Sequence, residues 1–517
     1  MNTSSQNKFH PLISVLGISM GDEGKGRVVH EILDEIKSLT KNPVSGVMKA
    51  NGGANAGHTA AGLKLNLLPS GVGNPEVSDL LIGSGVVADP RKFLWEALPL
   101  ESRDISVLDR LRIDERCQMS DLSHRLLDLA WENYRVNQLG QESRGSTGRG
   151  ISPAYCDETG QWQIFYQAFC EDRSLFAKDL KFRVSRALDT IRHVCKVKEE
   201  DWFKFFEILT IAETKANKEA ITEGIFSEDE FNFKKFVKDQ PYSLDFELLE
   251  DTYWAAGQKL VGCISDIRSL MLEKLNQNKS VVVEFGQAYW LDKRHGFTPN
   301  VTASHTFSSE IFQSAGIPIR EISQVGCCKA YDTKVGTHHF LTYIDPEKNR
   351  LAQKLAKMEF GTSTGRQRMV GWFDAVEKGN ALKFGGFDWL VINKLDALSC
   401  HNDELDELKI CVAYEDSDGR KVTKVPRREN IRKSLKPIYE SLPVWTEDIT
   451  KCTTFEELPS AAKIYIKRMV QSTCDIAYGN RINVETLPEL LFIGVGPDPK
   501  QIIQECPTLS DLLQTSA

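Results

Sequence analysis

The residues best suited to chemistry form a glycine-rich turn, GISMGDEGKGR, at residues 17–27. The turn follows the apolar run at residues 12–16, and a strand that ends in glycines and a lysine can direct backbone N–H groups and a positive charge at a phosphate. It is not a standard P-loop, because Ser19 stands at the first glycine position and Gly26 replaces the final serine or threonine. Asp22 would repel a phosphate, so we interpret it as a Mg²⁺ ligand or as a base that takes a proton from a second substrate.

Two further stretches combine glycines with groups that can hold an anion or move a proton. In NGGANAGHT, residues 51–59, His58 could act as an acid or stabilise charge on a transferred oxygen. RGSTGRGISPAY, residues 144–155, suits a phosphate monoester, with Thr147 as donor and Arg149 supplying charge. Taken alone, the first could equally be a loop with a structural histidine, and the second a surface loop.

The stretch NKLD, residues 393–396, indicates which base a nucleotide would carry. It directly follows the apolar run at residues 389–392, so it lies at a strand end. The Asp396 carboxylate can accept both the N1–H and the N2–H of guanine, and the stem of Lys394 can lie along the ring. Adenine offers no matching pair of donors, so the nucleotide indicated is GTP. These four residues also occur by chance in strand–turn sequences.

Other polar positions suggest a second ligand. EFGTSTGRQR, residues 359–368, again combines hydroxyls, glycine and two arginines, which indicates a second anionic group. Gln287 and Thr302 follow the apolar run at residues 280–285 and could contact another ligand. GVGPDP, residues 494–499, could border a base or a ribose, or it could be turn chemistry alone.

Short apolar runs must position these turns, and each run precedes glycines or polar turn residues. The candidate strands are residues 12–16, 80–82, 280–285, 389–392 and 490–493. Strands buried on both faces, with functional turns at their C-terminal ends, predict an α/β fold with a large central, mostly parallel β-sheet covered by helices. Residues 196–251 are charged and aromatic with helical spacing, which predicts a helical insertion. Because the motifs run along the whole chain, we predict a single domain over residues 1–517.

Composition limits the class of protein. Of the 517 residues, 41% are hydrophobic and 26% charged, which is typical of a soluble globular protein. The formal net charge of -8 argues against nucleic acid as a partner. The twelve cysteines show no zinc-type spacing, and no stretch approaches the ~20 apolar residues of a membrane span. Together with the absence of a secretory signal, these features predict a cytoplasmic protein with no membrane partner.

In this order, the motifs resemble those of the adenylosuccinate synthetase family. The matching text is GDEGKG, NAGHT, STGRGISPAY, the region at residues 287–302, EFGTSTGRQR with the following GW, NKLD and GPDP. The resemblance extends over residues 12–503. It implies a GTP-dependent ligase of AMP synthesis that converts GTP, IMP and L-aspartate to GDP, phosphate and adenylosuccinate through a 6-phosphoryl-IMP intermediate. It also implies Mg²⁺ as cofactor and a homodimer.

The resemblance also implies roles for individual residues. Asp22 would remove the N1 proton of IMP and, with the carbonyl of Gly57, would bind Mg²⁺. His58 would support the phosphoryl transfer, and Lys25 and Gln287 would complete the catalytic set.

The resemblance assigns three ligand sites. GTP would contact Gly21, Glu23, Gly24, Lys25, Gly26, Arg27, Gly57, His58, Thr59, Arg368, Lys394, Leu395, Asp396, Gly494, Val495 and Gly496. IMP would contact Asp22, Asn55, Ala56, Gly57, His58, Thr147, Gln287, Thr302 and Arg366. L-Aspartate would contact Thr362, Ser363, Thr364, Gly365, Arg366 and Arg368.

Several positions depart from the family pattern. Ser19 and Met20 replace a Gln-Trp pair, and Phe285 stands where the family has a glycine. The arginine run after the aspartate loop is interrupted by Gln367 and Met369.

A further departure concerns the dimer. Gln161 occupies the position from which the family reaches an arginine to the partner's IMP, so either a nearby residue such as Arg173 substitutes or this contact is lost. The altered positions leave two alternatives open. The chain could be a paralogous ligase acting on another 6-oxopurine nucleotide such as dGMP, or a GTP-binding regulatory homologue without turnover.

Overall fold

The computed structural model describes residues 8–40, 44–334, 339–360, 367–400, 405–479 and 487–514. Its strands are β1 (Leu12–Gly17), β2 (Gly46–Lys49), β3 (His58–Ala60), β4 (Leu63–Leu65), β5 (Asp79–Ile82), β6 (Val87–Ala88), β7 (Leu111–Asp114), β8 (Gln118–Met119), β9 (Ile264–Ser265), β10 (Val281–Glu284), β11 (Ser323–Lys329), β12 (Asp332–Lys334), β13 (Met369–Gly371), β14 (Phe373–Asp374), β15 (Trp389–Asn393), β16 (Leu408–Glu415), β17 (Lys421–Val422), β18 (Lys436–Leu442), β19 (Glu489–Gly494) and β20 (Ile502–Ile503).

The helices cover the sheet and connect its strands. They are α1 (Lys25–Thr40), α2 (Pro90–Glu101), α3 (Leu122–Asn137), α4 (Ile151–Thr159), α5 (Arg173–Asp189), α6 (Glu199–Ala216), α7 (Lys218–Thr222), α8 (Phe246–Gln258), α9 (Ile267–Asn276), α10 (Ser309–Ala315), α11 (Arg350–Met358), α12 (Ala375–Gly385), α13 (Glu429–Arg432), α14 (Ser460–Tyr478) and α15 (Leu509–Gln514). Within the described parts of the chain, no helix has the length and apolar character needed to cross a bilayer.

One ten-stranded sheet organises the fold, in the order β20-β19-β15-β11-β1-β10-β2-β5-β7-β9. Neighbouring strands are parallel except for the edge pair of β19 and β20, which is antiparallel. All five strands predicted from apolar runs belong to this sheet, as β1, β5, β10, β15 and β19. The predicted α/β class with a mostly parallel central sheet is confirmed. A smaller sheet joins β14, β16, β17 and β18.

Strand β1 is buried on both faces at the middle of the sheet. Ile13 and Val15 face one hydrophobic cluster, whereas Leu12 and Leu16 face the other. This alternation follows from the two-residue period of a strand, and it explains why the run is continuously apolar. Helices therefore cover the sheet on both sides.

Because the strands are parallel, their C-terminal ends gather at one edge of the sheet. That edge carries the turn after β1, the loop after β2 that leads to His58, the segment after β10 that contains Gln287, and the turn after β15 that contains Asp396. The predicted site residues in these segments therefore share one edge of the molecule.

The segment at residues 196–251 contains α6, α7 and the first part of α8, which continues to Gln258. Its buried aromatic residues are Trp202, Phe205, Phe206, Phe231, Phe233 and Phe236. They lie in the same hydrophobic cluster as Ile13 and Val15 of the central strand. The segment thus shares the core of the sheet. That it is an insertion within a single domain stays a prediction.

Candidate active site

The turn after β1 is held together by Glu23. Its carboxylate accepts hydrogen bonds from the backbone N–H groups of Ser19 (3.3 Å) and Gly21 (2.7 Å), and its side chain is almost fully buried. A Cβ on Gly17 would lie 2.1 Å from this carboxylate, so only glycine fits there. The side chain of Glu23 is committed to the turn, which limits its predicted GTP contact to the backbone.

Asp22 occupies an uncommon backbone conformation in this turn. Its φ of 65° lies in the left-handed region, which costs free energy for a residue other than glycine and concentrates at functional sites. Its carboxylate forms an ion pair with the guanidinium of Arg368, which is itself nearly buried. Burial lowers the pKa of Arg368 to about 10. The structure thus brings the predicted base next to an arginine predicted to contact both GTP and aspartate.

Helix α1 begins at Lys25, immediately after the turn. Its first backbone N–H groups have no partner within the helix, and together with the helix dipole they form an anion site. The Lys25 ammonium lies 3.3 Å from Glu23. A Cβ on Gly26 would lie 2.6 Å from the carbonyl oxygen of Thr59, so Gly26 allows α1 to approach β3. This contact joins the first two predicted motifs, although the Thr59 residue itself is exposed.

His58 begins β3 and is largely buried. Its Nε2 donates to the carbonyl oxygen of Leu68 at 3.3 Å and lies 3.6 Å from the carboxylate of Glu284. Burial lowers the pKa of His58, and Glu284 only partly offsets this effect. The neutral imidazole is therefore favoured, and with its single N–H donated to Leu68 the other ring nitrogen, Nδ1, is an acceptor.

Asn55 and Gln287, which the resemblance assigns to IMP, contact each other. Gln287 Nε2 donates to Asn55 Oδ1 at 3.1 Å, and Asn51 Nδ2 donates to Gln287 Oε1 at 3.3 Å. Asn51 also bonds Ser304 at 2.9 Å, which links this network to the segment containing Thr302. The hydroxyl oxygen of Thr302 is buried and has no partner among the described residues, so it is available to a ligand. The sequence alone assigns no role to Asn51 or Ser304.

The structure corrects the expected role of Arg149. The sequence suggested that this side chain supplies charge to a phosphate, but its guanidinium is buried and forms an ion pair with Glu213 of α6. Thr147, on the same loop, is half-buried. The arginine is held inside the protein because a buried carboxylate of the 196–251 segment neutralises it.

The NKLD turn presents a carboxylate to a ligand. One oxygen of Asp396 is buried without a hydrogen-bond partner in the described part of the chain, and burial raises the pKa of this carboxyl. Such an orphaned acceptor fits paired N–H donors. Lys394 Nζ is held by Glu359 at 2.6 Å, and Asn393 donates to the backbone of Glu23 at 2.7 Å. The NKLD turn is thereby tied to the turn after β1.

Arg27 connects the first turn to the last strand of the site. Its guanidinium donates to the carbonyl oxygens of Gly496 (2.7 Å), Asp498 (2.8 Å) and Gln501 (3.0 Å). The backbone N–H of Leu395 donates to the carbonyl oxygen of Gly494 at 3.0 Å. The predicted GTP residues at 494–496 therefore contact both the turn after β1 and the NKLD turn. Arg27 makes its contact through side-chain hydrogen bonds.

Most of the predicted aspartate site cannot be placed. Thr362, Ser363, Thr364, Gly365 and Arg366 lie outside the described residues.

The oxygen atoms near the turn suit Mg²⁺. In the described residues no group of three or more histidine, cysteine, aspartate or glutamate side chains could hold a metal ion. Mg²⁺ commonly takes only one or two protein oxygens and completes its shell with substrate phosphates and water. The Asp22 carboxylate and the Gly57 carbonyl are hard oxygen donors of this kind, so the residues present fit the predicted ion.

The two residues that bear on the predicted dimer contact, Gln161 and Arg173, both lie in the described part of the chain. Gln161 is exposed and has a φ of 63°. Arg173 is bound within its own chain, with Nε donating to Glu250 at 2.9 Å and a second ion pair to Asp251. Arg173 is therefore paired within its own chain, and its substitution for the missing arginine stays a prediction.

Comparisons with known proteins agree with this geometry. The model of the adenylosuccinate synthetase family matches residues 14–502. The adenylosuccinate synthetase of Staphylococcus saprophyticus is 33% identical over 494 residues, covering 95% of this chain and 97% of that protein. That of Actinobacillus pleuropneumoniae is 34% identical over 487 residues, covering 92% and 97%. The fully ligated adenylosuccinate synthetase of Plasmodium falciparum superposes with a TM-score of 0.74 at 26% identity, covering 96% of this chain and all of that one.

Proposed function

We propose roles for individual residues from the premise that this chain belongs to the adenylosuccinate synthetase family. It is a GTP-dependent ligase that couples IMP with L-aspartate to form adenylosuccinate, GDP and phosphate in AMP synthesis. The observation that carries the assignment of roles is the place of Asp22. This carboxylate lies directly before the N-terminus of α1 and contacts Arg368, so it stands where phosphate, purine and amino acid must meet.

Asp22 acts as the base. It takes the N1 proton of IMP, which makes the 6-oxygen nucleophilic toward the γ-phosphate of GTP. The phosphate then carried by that oxygen makes it a good leaving group, and the amino group of aspartate displaces it. The ion pair with Arg368 holds this carboxylate in place at the end of the turn.

The phosphoryl group is held by fixed donors. The first N–H groups of α1 and the ammonium of Lys25 bind the phosphates of GTP. His58 supports the transfer: burial favours its neutral form, and its single N–H would turn from the Leu68 carbonyl oxygen to the charge that develops. Asp22 and the carbonyl of Gly57 would hold Mg²⁺, which supplies positive charge beside the phosphates.

The two purines are distinguished by different residues. Asp396 accepts the N1–H and N2–H of guanine through its unpartnered buried oxygen, and Lys394 lies at the same turn. IMP is held by Asn55, Gln287 and Thr302, of which the first two already form a hydrogen bond. The loop at residues 362–368 would bind L-aspartate, the third substrate.

We also propose a cytoplasmic homodimer. All twelve cysteines are free, which suits a reducing compartment. Because Gln161 cannot replace an arginine and Arg173 is paired within its own chain, the dimer would form without an arginine from this position reaching the partner's IMP. Light scattering of the purified protein would give the mass of a dimer, and a monomer at micromolar concentration would contradict the proposal.

The ligase assignment is tested by phosphate release from GTP and Mg²⁺, with IMP and aspartate added separately and together. We expect release only when both are present. Asp22→Asn should abolish it, because the amide cannot take the N1 proton. Asp34→Asn on α1, where the side chain is largely exposed, is the matched control and should keep full activity. Release by Asp22→Asn at the normal rate would exclude Asp22 as the base.

A further inference from the structure

Two buried arginines converge on one glutamate of the 196–251 segment. Arg125 Nη2 lies 2.9 Å from Glu213 Oε1, and the guanidinium of Arg149 pairs with the same oxygen. The Glu213 side chain is fully buried, and both arginine side chains are almost fully buried. Arg125 belongs to α3 and Arg149 to the loop before α4, so one carboxylate links three parts of the chain.

The loop held in this way is the one that carries Thr147. Arg125 Nε donates to the carbonyl oxygen of Gly148 at 3.0 Å. One helical turn further along α3, Asp128 accepts from the N–H of Gly150 at 3.1 Å. Helix α3 thus fixes the backbone of the loop on the C-terminal side of Thr147, provided that the Arg125 side chain is itself fixed.

The surroundings explain why a carboxylate is needed at this point. Arg91, Lys92 and Arg125 crowd the same region as Arg149. Burial lowers the pKa of Arg149 to about 9, and Arg125 adds to this effect by repulsion, whereas Glu96 and Asp89 partly oppose it. Removing one partner of a buried charge cluster leaves an uncompensated charge, so the arginines would separate or let water in.

The same segment also supplies packing for the cluster. The ring of Phe233 lies 4.9 Å from the Arg125 guanidinium and 5.1 Å from that of Arg91. Asn217 Nδ2 donates to the carbonyl oxygen of Glu213 at 2.9 Å, which caps the end of α6. The segment therefore provides both the negative charge and an aromatic face for this cluster.

We propose that Glu213 is a positioning residue for substrate binding: through Arg125 and Arg149 it holds the loop at residues 144–150 where Thr147 can bind the phosphate monoester of IMP. The proposal rests on the proposed function, in which Thr147 contacts IMP. It gives the 196–251 segment a role at the active site although the resemblance assigns none of its residues to a substrate.

Glu213→Gln tests the proposal, because it removes the charge and keeps the shape. We expect the KM for IMP to rise on the order of tenfold, since small misplacements of a positioning group have effects of this size. The KM values for GTP and aspartate should stay unchanged. Glu207→Gln on the same helix is the matched control, because Glu207 is largely exposed and lies 3.7 Å from Lys234. It should leave all three KM values unchanged.

Two results would overturn the proposal. One is an unchanged KM for IMP in Glu213→Gln, and the other is an equal rise of all three KM values, which would mark a general loss of structure. If Glu213→Gln does not fold, Glu213→Asp keeps the charge and shortens the side chain, and the same comparison of KM values decides. Thr147→Ala separates this proposal from the proposed function: an unchanged KM for IMP there would remove the loop from the IMP site altogether.

Discussion

We propose that Asp396, one oxygen of which is buried with no partner among the described residues, sets the nucleotide preference. We expect Asp396→Asn to raise the KM for GTP about 10- to 150-fold, because a hydrogen bond to a charged group contributes roughly 1.5–3 kcal/mol. The amide should instead accept XTP, since its Nδ2 can donate to the 2-oxo group of xanthine while Oδ1 accepts from N1–H. Steady-state rates with both nucleotides measure this exchange. Asp406→Asn, at an exposed position, should change neither KM, and an Asp396→Asn enzyme that still preferred GTP would remove Asp396 from the base site.

His58 makes stability depend on pH. Burial lowers its pKa below the ordinary 6.5, so below that pH the unfolded chain binds this proton before the folded chain does. The contribution of His58 is therefore fully present above pH 6.5 and is lost as the pH falls through the lowered pKa. His58→Gln cannot be protonated, so its free energy of unfolding relative to the wild type should increase on acidification, by at most about 1.4 kcal/mol per pH unit.

Chemical denaturation between pH 7 and pH 5 measures this difference. The same substitution at His30, which lies on α1 with a more exposed side chain, serves as the control. A difference between His58→Gln and the wild type that does not change with pH would show that His58 titrates normally.

At the scale of elements, the approach of α1 to β3 depends on Gly26. On paper Gly26→Ser restores the P-loop hydroxyl, but its Cβ would lie 2.6 Å from the Thr59 carbonyl oxygen. We expect loss of activity and destabilisation by about 1–3 kcal/mol, because the helix must move away. Thermal unfolding and phosphate release measure both effects. Gly262→Ser, where an added Cβ meets no atom within 4 Å, is the control, and a fully active Gly26→Ser would show that this close approach is not required.

The sequence predicted the central strands well where burial on both faces leaves a continuous apolar run, as in β1 and β15. It did not predict β11, because SQVGCCK mixes glycine, cysteine and polar residues although every residue except Gln324 is buried. Strands β2 (GVMK) and β7 (LRID) were also missed, because glycine or charged residues leave neither with a continuous apolar run of three residues.

The candidate site was predictable where it consists of turn motifs, such as NKLD and the turn around Asp22. The partners that orient those motifs were not, because each comes from a distant element and carries no local pattern. Glu284 beside His58 and Glu213 beside Arg149 are examples. Their positions follow from packing of the whole chain.

The whole molecule should unfold as one unit, since the 196–251 segment shares a hydrophobic cluster with the central sheet. Phe206 is fully buried and packs edge-to-face on Trp202 with ring centroids 5.0 Å apart. We expect Phe206→Ala to lower the free energy of unfolding by about 3–5 kcal/mol while the transition stays single. Calorimetry measures it, with Phe203→Ala, which is 39% exposed, as the control. Two separate transitions would show that the segment is an independent domain.

The order of strands in the sheet has a consequence for synthesis on the ribosome. Strand β1 emerges first, yet its two neighbours in the sheet are β10 and β11. At ~5–20 residues per second, roughly 15 to 65 s pass between translation of Leu12 and of Lys329. During that time β1, which is buried on both faces in the finished sheet, has neither of its neighbouring strands. The nascent chain therefore needs a chaperone or transient contacts to shield this strand, and slow translation of the first half of the message would lengthen its exposure to aggregation.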